Sequence, residues 1–125
     1  MNKDEKRKST PVFSGLFTYF PRALAEVSRV SVAGNEQHLN GKELHWDRTK
    51  SSDHLNSGSR HLLDLASGEV YDEDSQRHLA KAVWRLLAQL EIDLEEEYSE
   101  EDKAMSEEDL EDYVNILERI DNKED

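Results

Sequence analysis

Apolar residues recur along this chain at helical spacing, and no stretch of any strength alternates as a strand requires. Between residues 21 and 33, Leu24, Val27 and Ser31, flanked by Ala23 and Val30, make one face of an amphipathic helix. Pro21 suits its first position, and Gly34 with Asn35 is placed to end it through a left-handed turn. A second helix is predicted over 53–67, capped by Ser52, with Asp53 in the first turn where the dipole favours negative charge. It carries two stripes. Leu55, Gly58, Leu62, Leu65 and Ala66 form the face expected to be buried, and His54, Ser57, His61 and Asp64 form a polar one. Gly68 is its stop signal. The most regular pattern follows over 76–92, with Ser75 as cap. There Leu79, Ala82, Val83, Leu86, Leu87 and Leu90 make a broad core face, and His78, Lys81 and Arg85 line a polar one. Further on, Ser106 and Asp109 have capping-box spacing ahead of Leu110, Tyr113, Val114, Leu117 and Ile120, which predicts an amphipathic helix at about 107–120.

These elements predict an all-α fold, a small bundle of three to four helices with an acidic C-terminal helical tail. Residues 1–12 read as a disordered basic leader, since Lys3, Lys6, Arg7 and Lys8 follow no period. Residues 13–92 form the helical domain and 93–125 the tail. Phe13, Leu16, Phe17, Tyr19 and Phe20 are the aromatic lead-in, expected to pack over the helices or to line a base pocket. Residues 34–52 show neither period, and long connections of that kind tend to be functional. An aromatic between cations, as Trp46 stands among Lys42, Arg48 and Lys50, can stack a base while the cations meet phosphates. The plainer alternative is a polar connection with a buried tryptophan.

Composition changes less than it first suggests. At 125 residues the chain is one domain's worth, and it has no cysteine for disulfides or thiolate metal sites. No apolar run approaches the roughly 20 residues that span a bilayer. The expectation is a soluble intracellular protein. The formal net charge of −13 belongs to the tail: residues 1–92 hold 13 acidic and 13 basic side chains, whereas 93–125 hold 16 acidic and 3 basic. The low isoelectric point therefore says little about what the body binds.

The candidate chemistry lies between Asp53 and His78. Magnesium is hard and is usually held by one or two carboxylates plus substrate phosphates. Glu26, Asp64, Glu69, Asp72 and Asp74 sit on different elements and could converge on such an ion, with manganese as a substitute. A solvated acidic turn over 69–74 is the competing reading. His61 and His78 suit a general base, donors behind the metal ligands, or core histidines. No phosphate-binding glycine loop, nucleophile elbow or H-E-x-x-H motif is present.

Four ordered pieces carry a family resemblance: E-V-x-R-V from Glu26, L-H-W-D-R-x-K-S-x-D-H from Leu44, R-H-L-x-D-x-x-x-G-E-x-Y-D-E-D-S from Arg60, and R-H-L-A-K-A-x-W-R-L-L-A from Arg77. Together, from Pro21 to about Glu91, they resemble the bacteriophage dATP/dGTP diphosphohydrolases, which are similar to MazG-like all-α nucleoside triphosphate pyrophosphohydrolases. The resemblance implies hydrolysis of a purine deoxynucleoside triphosphate to monophosphate and pyrophosphate. In phages with 2-aminoadenine DNA, that activity would remove dATP and supply dGMP in the host cytoplasm. It also implies a homo-oligomer, and no direct contact with nucleic acid or membrane. By residue chemistry, Glu26, His61, Asp64 and Glu69 become the catalytic candidates. Lys42, Arg48, Lys50, Lys81 and Arg85 are assigned to phosphates and Trp46 to the purine, with His45, Asp53, His54, Arg60 and His78 beside the nucleotide. A protein of another class, an acidic DNA mimic or a nucleotide-binding regulator without catalysis, is the rival expectation.

Overall fold

The computed structural model describes residues 1–39 and 43–123. It is all-helical, and the residues from Met1 to Ala88 form one compact unit. Within the leader, Lys3–Lys8 form a short helix, α1. Its first turn explains it, because Asn2 and Glu5 make a reciprocal capping box, and Asp4 and Glu5 precede Lys6, Arg7 and Lys8 along the helix dipole. A π-helical turn over Phe13–Phe17 leads into α2, Pro21–Leu39. The aromatic lead-in is exposed instead of packed over the bundle; Tyr19 and Phe20 meet edge to face at 6.0 Å.

Helix α2 runs past Gly34, where an end was expected. Glycine in a helix interior costs about 1 kcal/mol and does not by itself break the hydrogen-bond ladder. Helix α3 spans His54–Ala66, with Asp53 rather than Ser52 at the cap position. The Asp53 carboxylate makes no capping bond; Arg60 holds it at 3.0 Å. The other end closes as the sequence predicts. Gly68 adopts φ +97°, Glu69 N–H donates to Asp64 C=O at 3.0 Å, and Gly68 N–H donates to Leu65 C=O at 3.0 Å.

The next helix, α4, is continuous over His78–Lys123, so the stretch expected to separate two helices is itself helical. No glycine or proline interrupts it, and Glu, Leu, Lys and Ala are good helix formers. From Gln89 onward α4 belongs to a second compact unit, which includes the stretch 107–120.

Burial follows the expected helix faces only in part: Gly58 and Ala82 are buried as expected, but the large apolar side chains beside them are not. The leucines expected in the core, Leu55 and Leu62 on α3 and Leu79, Leu86, Leu87 and Leu90 on α4, are 42% to 56% exposed. Among the described residues the buried ones are Val27, Ala80, Ala82 and Ala88 together with His54, Ser57, Gly58 and His78. Helices α3 and α4 approach through small residues. A Cβ placed on Gly58 would stand 3.4 Å from Arg85 Cβ and 3.6 Å from Ala82 C=O. Trp84 Nε1–H donates to Ser31 Oγ at 2.7 Å and links α4 to α2.

This seam has room for a methyl group and little more. Gly58→Ala should be neutral or stabilising by up to about 1 kcal/mol through helix propensity. Gly58→Leu should destabilise by roughly 1–3 kcal/mol through overpacking. Urea unfolding of the two variants would separate these outcomes.

Candidate functional site

The connection between α3 and α4 is an ordered clip. Asp72 N–H donates to Gln76 C=O at 2.8 Å, Ser75 N–H to Asp72 C=O at 2.9 Å, and His78 N–H to Val70 C=O at 3.0 Å. Ser75 takes φ +68° at its tip, and Tyr71 pairs with Arg77 as an isolated antiparallel bridge. Two of the acidic side chains are tied down on this frame. Asp72 accepts from Glu73 N–H at 2.8 Å and Asp74 from Gln76 N–H at 3.0 Å. Lys81 Nζ bridges both, at 2.7 Å to Asp72 and 2.8 Å to Asp74. The bonds from Lys81 hold both carboxyls below their ordinary pKa. Burial opposes charge on Lys81, but its bonds to Asp72 and then Asp74 outweigh that and raise its pKa. A freely solvated acidic turn does not describe this geometry.

Inside the clip the two histidines meet. His61 Nδ1 lies 3.0 Å from His78 Nδ1, so with both rings neutral one nitrogen donates and the other accepts. His78 is almost fully buried, with Asp64 at 3.8 Å from its Nδ1 and Glu69 at 3.9 Å from its Nε2. Burial, and then the nearby Lys81 charge, lower the His61 pKa and favour its uncharged form. Two groups here have metal-ligand spacing: His61, Asp72 and His78, and Asp64, Glu69 and His78. In each, one nitrogen or oxygen per residue lies within 4.8 Å of the others. Asp64 and Glu69 keep more acceptor capacity than Asp72 and Asp74, which Lys81 already engages.

A cavity of about 570 Å³ adjoins the clip. Trp46, His54 and Trp84 wall it, with ring centroids 5.7 to 6.2 Å apart and planes steeply tilted. His45, Lys50, Lys81, Arg85, Asp74 and Asp47 also reach it. Arg48 lies over the Trp46 ring, 4.2 Å from its centroid, so the guanidinium occupies one face of that indole.

The expected site residues therefore divide. His61, Asp64, Glu69, Asp72, Asp74, His78 and Lys81 converge on the clip. His45, Trp46, Lys50, His54 and Arg85 converge on the cavity. Glu26 is outside both metal-spaced groups and pairs with Arg29 one turn on, at 2.6 Å. Asp53 and Arg60 pair with each other near the start of α3. Lys42 lies outside the described residues. Trp84, Ser31, Asp47 and Ser51 line the cavity without having been singled out. For Trp84 the signal was present, because it follows Lys81 by three residues and so shares its side of the helix.

An all-α chain with a histidine–carboxylate clip beside a cation-lined aromatic cavity has the parts of a nucleotide-handling protein. It belongs to the dATP/dGTP diphosphohydrolase N-terminal family, which it matches over residues 1–103, a wider span than the resemblance from Pro21 to Glu91. No curated protein and no solved structure matches the chain.

Proposed function

We propose that this protein hydrolyses dATP and dGTP to the monophosphate and pyrophosphate, with magnesium held between its carboxylates and the triphosphate. The observation that carries the reading is the place of Lys81. It bonds Asp72 and Asp74 in the clip and also lines the cavity, so a cation site and a phosphate-binding wall share one residue. Family membership supplies the reaction class.

Asp64 and Glu69 suit a hard cation, because magnesium takes one or two carboxylates and fills its remaining positions from phosphates and water. When bound, that ion supplies neutralisation of charge on the triphosphate oxygens. The chain supplies the rest. Lys50, Lys81 and Arg85 hold phosphates from the cavity wall. His61, favoured in its uncharged form, accepts a proton from the attacking water, and His78 orients it across the 3.0 Å contact. In a phage whose DNA carries 2-aminoadenine, hydrolysis of dATP would deplete it and hydrolysis of dGTP would provide dGMP.

With magnesium, purified protein should release pyrophosphate from dGTP and dATP. Asp64→Asn and Glu69→Gln should each lower kcat roughly a hundredfold or more while leaving the circular dichroism unchanged. Failure to turn over any of the four deoxynucleoside triphosphates with magnesium or manganese would refute the enzyme and leave a non-catalytic nucleotide binder.

The exposed leucines support self-association. Fully burying a leucine side chain gains about 1.5–3 kcal/mol, and α3 with the first turns of α4 leaves Leu55, Leu62, Leu79, Leu86 and Leu87 partly open. A second copy of the chain is the expected cover. Sedimentation equilibrium at tens of micromolar should give a dimer or larger, and Leu86→Glu should reduce the mass without loss of helix. A monomeric wild-type protein would contradict this.

A further inference from the structure

The cavity wall holds a cation whose bonds all go to uncharged groups. Arg85 lines the cavity and is half-buried. Its Nη1 donates to His54 Nδ1 at 3.1 Å and to Ser51 Oγ at 3.3 Å. A guanidinium can only donate, so His54 Nδ1 is the acceptor and the neutral ring carries its proton on Nε2. Ser51 Oγ also accepts from Asp53 N–H at 3.3 Å, which ties it to the start of α3. Among the described residues no carboxylate bonds Arg85. Asp53 favours its charge from a distance but is held by Arg60 at 3.0 Å, and the Arg60 charge opposes it. Burial, and then Arg60, lower the Arg85 pKa. The other cations here act on acids: Lys81 bonds Asp72 and Asp74, and the Lys50 charge acts on Asp47. A partly buried charge without an opposite partner is costly, and native proteins pair such groups. Nε and Nη2 of Arg85 have no partner among the described residues and stay open to water, so the fork of donors can still be met from the cavity.

We propose that Arg85 anchors a phosphate group in this cavity without help from a metal ion, and that His54 and Ser51 are the positioning residues that hold its guanidinium. The hydrolase reading supplies only the nucleotide that carries the phosphate; the anion site stands on the charge and geometry of Arg85. A carboxylate in place of either acceptor would fix the guanidinium equally well but would cancel its charge. Uncharged acceptors fix it and leave the charge for the ligand. Both bonds use Nη1, so two donor nitrogens remain for a planar, two-point contact with phosphate oxygens. A triphosphate held this way is in place before magnesium arrives, with oxygens free to complete the coordination of an ion at Asp64 and Glu69.

Equilibrium dialysis of the full chain against radiolabelled inorganic pyrophosphate in EDTA tests this. The wild-type protein should bind pyrophosphate, less tightly as salt is added. Arg85→Gln should weaken binding roughly tenfold or more. Ser51→Asp sets a carboxylate beside Arg85 and should weaken it to a similar degree, whereas Ser51→Asn, which is uncharged, should stay close to wild type. A merely structural role for Ser51 would not separate two side chains of nearly equal size. His54→Gln keeps an uncharged acceptor and should bind more tightly than His54→Leu. If Arg85→Gln or the His54 variants do not fold, the Ser51 pair decides. The proposal is overturned by no binding in EDTA, by Ser51→Asp binding as tightly as Ser51→Asn, or by Arg85→Gln binding as the wild type does. Equal binding by the two His54 variants would remove His54 from it. Binding in EDTA without turnover in magnesium would keep this site and refute the hydrolase. Turnover in magnesium without binding in EDTA would do the reverse.

Discussion

Close approach of α3 and α4 at Gly58 is the constraint from which the site follows. With hydrogen in place of a side chain, and alanine at position 82 opposite, two helix backbones come near enough for short polar side chains to span the gap. His54 on α3 then meets Arg85 on α4, and His61 meets His78. Each contact involves a histidine nitrogen removed from water, so each partner must satisfy a group that would otherwise be costly. A side chain well beyond a methyl group at 58 should push the helices apart and strain both contacts at once. The same seam leaves the leucine stripes outside, where a second copy of the chain is proposed to cover them.

Lys81 joins the two halves of the site. Its bonds to Asp72 and Asp74 keep those carboxylates ionised and tied down, and it lends positive charge to the cavity wall. Asp64 and Glu69 remain more available to a cation because Lys81 does not engage them and His78 stands near 4 Å from each. That division of labour gives the proposed reaction a place for metal and a place for phosphate without requiring one carboxylate to serve both. Glu26 lies outside these two groups and pairs with Arg29 on α2.

The helical class was legible because the apolar spacing is regular and no strand pattern competes with it. The end of α3 at Gly68 was legible too, because a left-handed residue is needed there and glycine supplies it at no steric cost. Two boundaries were not. Gly34 looks like a terminator but sits inside α2, and the Ser106 cap signal lies inside α4, because a local cap preference loses to an uninterrupted run of good helix formers. The larger misreading concerned faces. Periodicity separates the leucine positions of α3 from its histidine stripe, but the inner side falls between the two: Gly58 of the first packs against α4, and His54 and Ser57 of the second are buried beside it. The members of the acidic and histidine cluster were readable from spacing; the engagement of Asp72 and Asp74 by Lys81 depends on a turn that closes on itself through backbone bonds.

The site depends on His54 and Ser57 of α3 lying inside. Long-range ¹H–¹⁵N correlation of the histidine side chains, followed from pH 7.5 downward, tests this directly. The prediction is a single neutral tautomer for His54, with the proton on Nε2 and Nδ1 as acceptor, persisting below the ordinary histidine value of about 6.5 because burial and Arg85 lower its pKa. A His54 ring that shows a tautomer mixture and titrates near 6.5 would mean that it faces water, and that the leucines hold the interior instead.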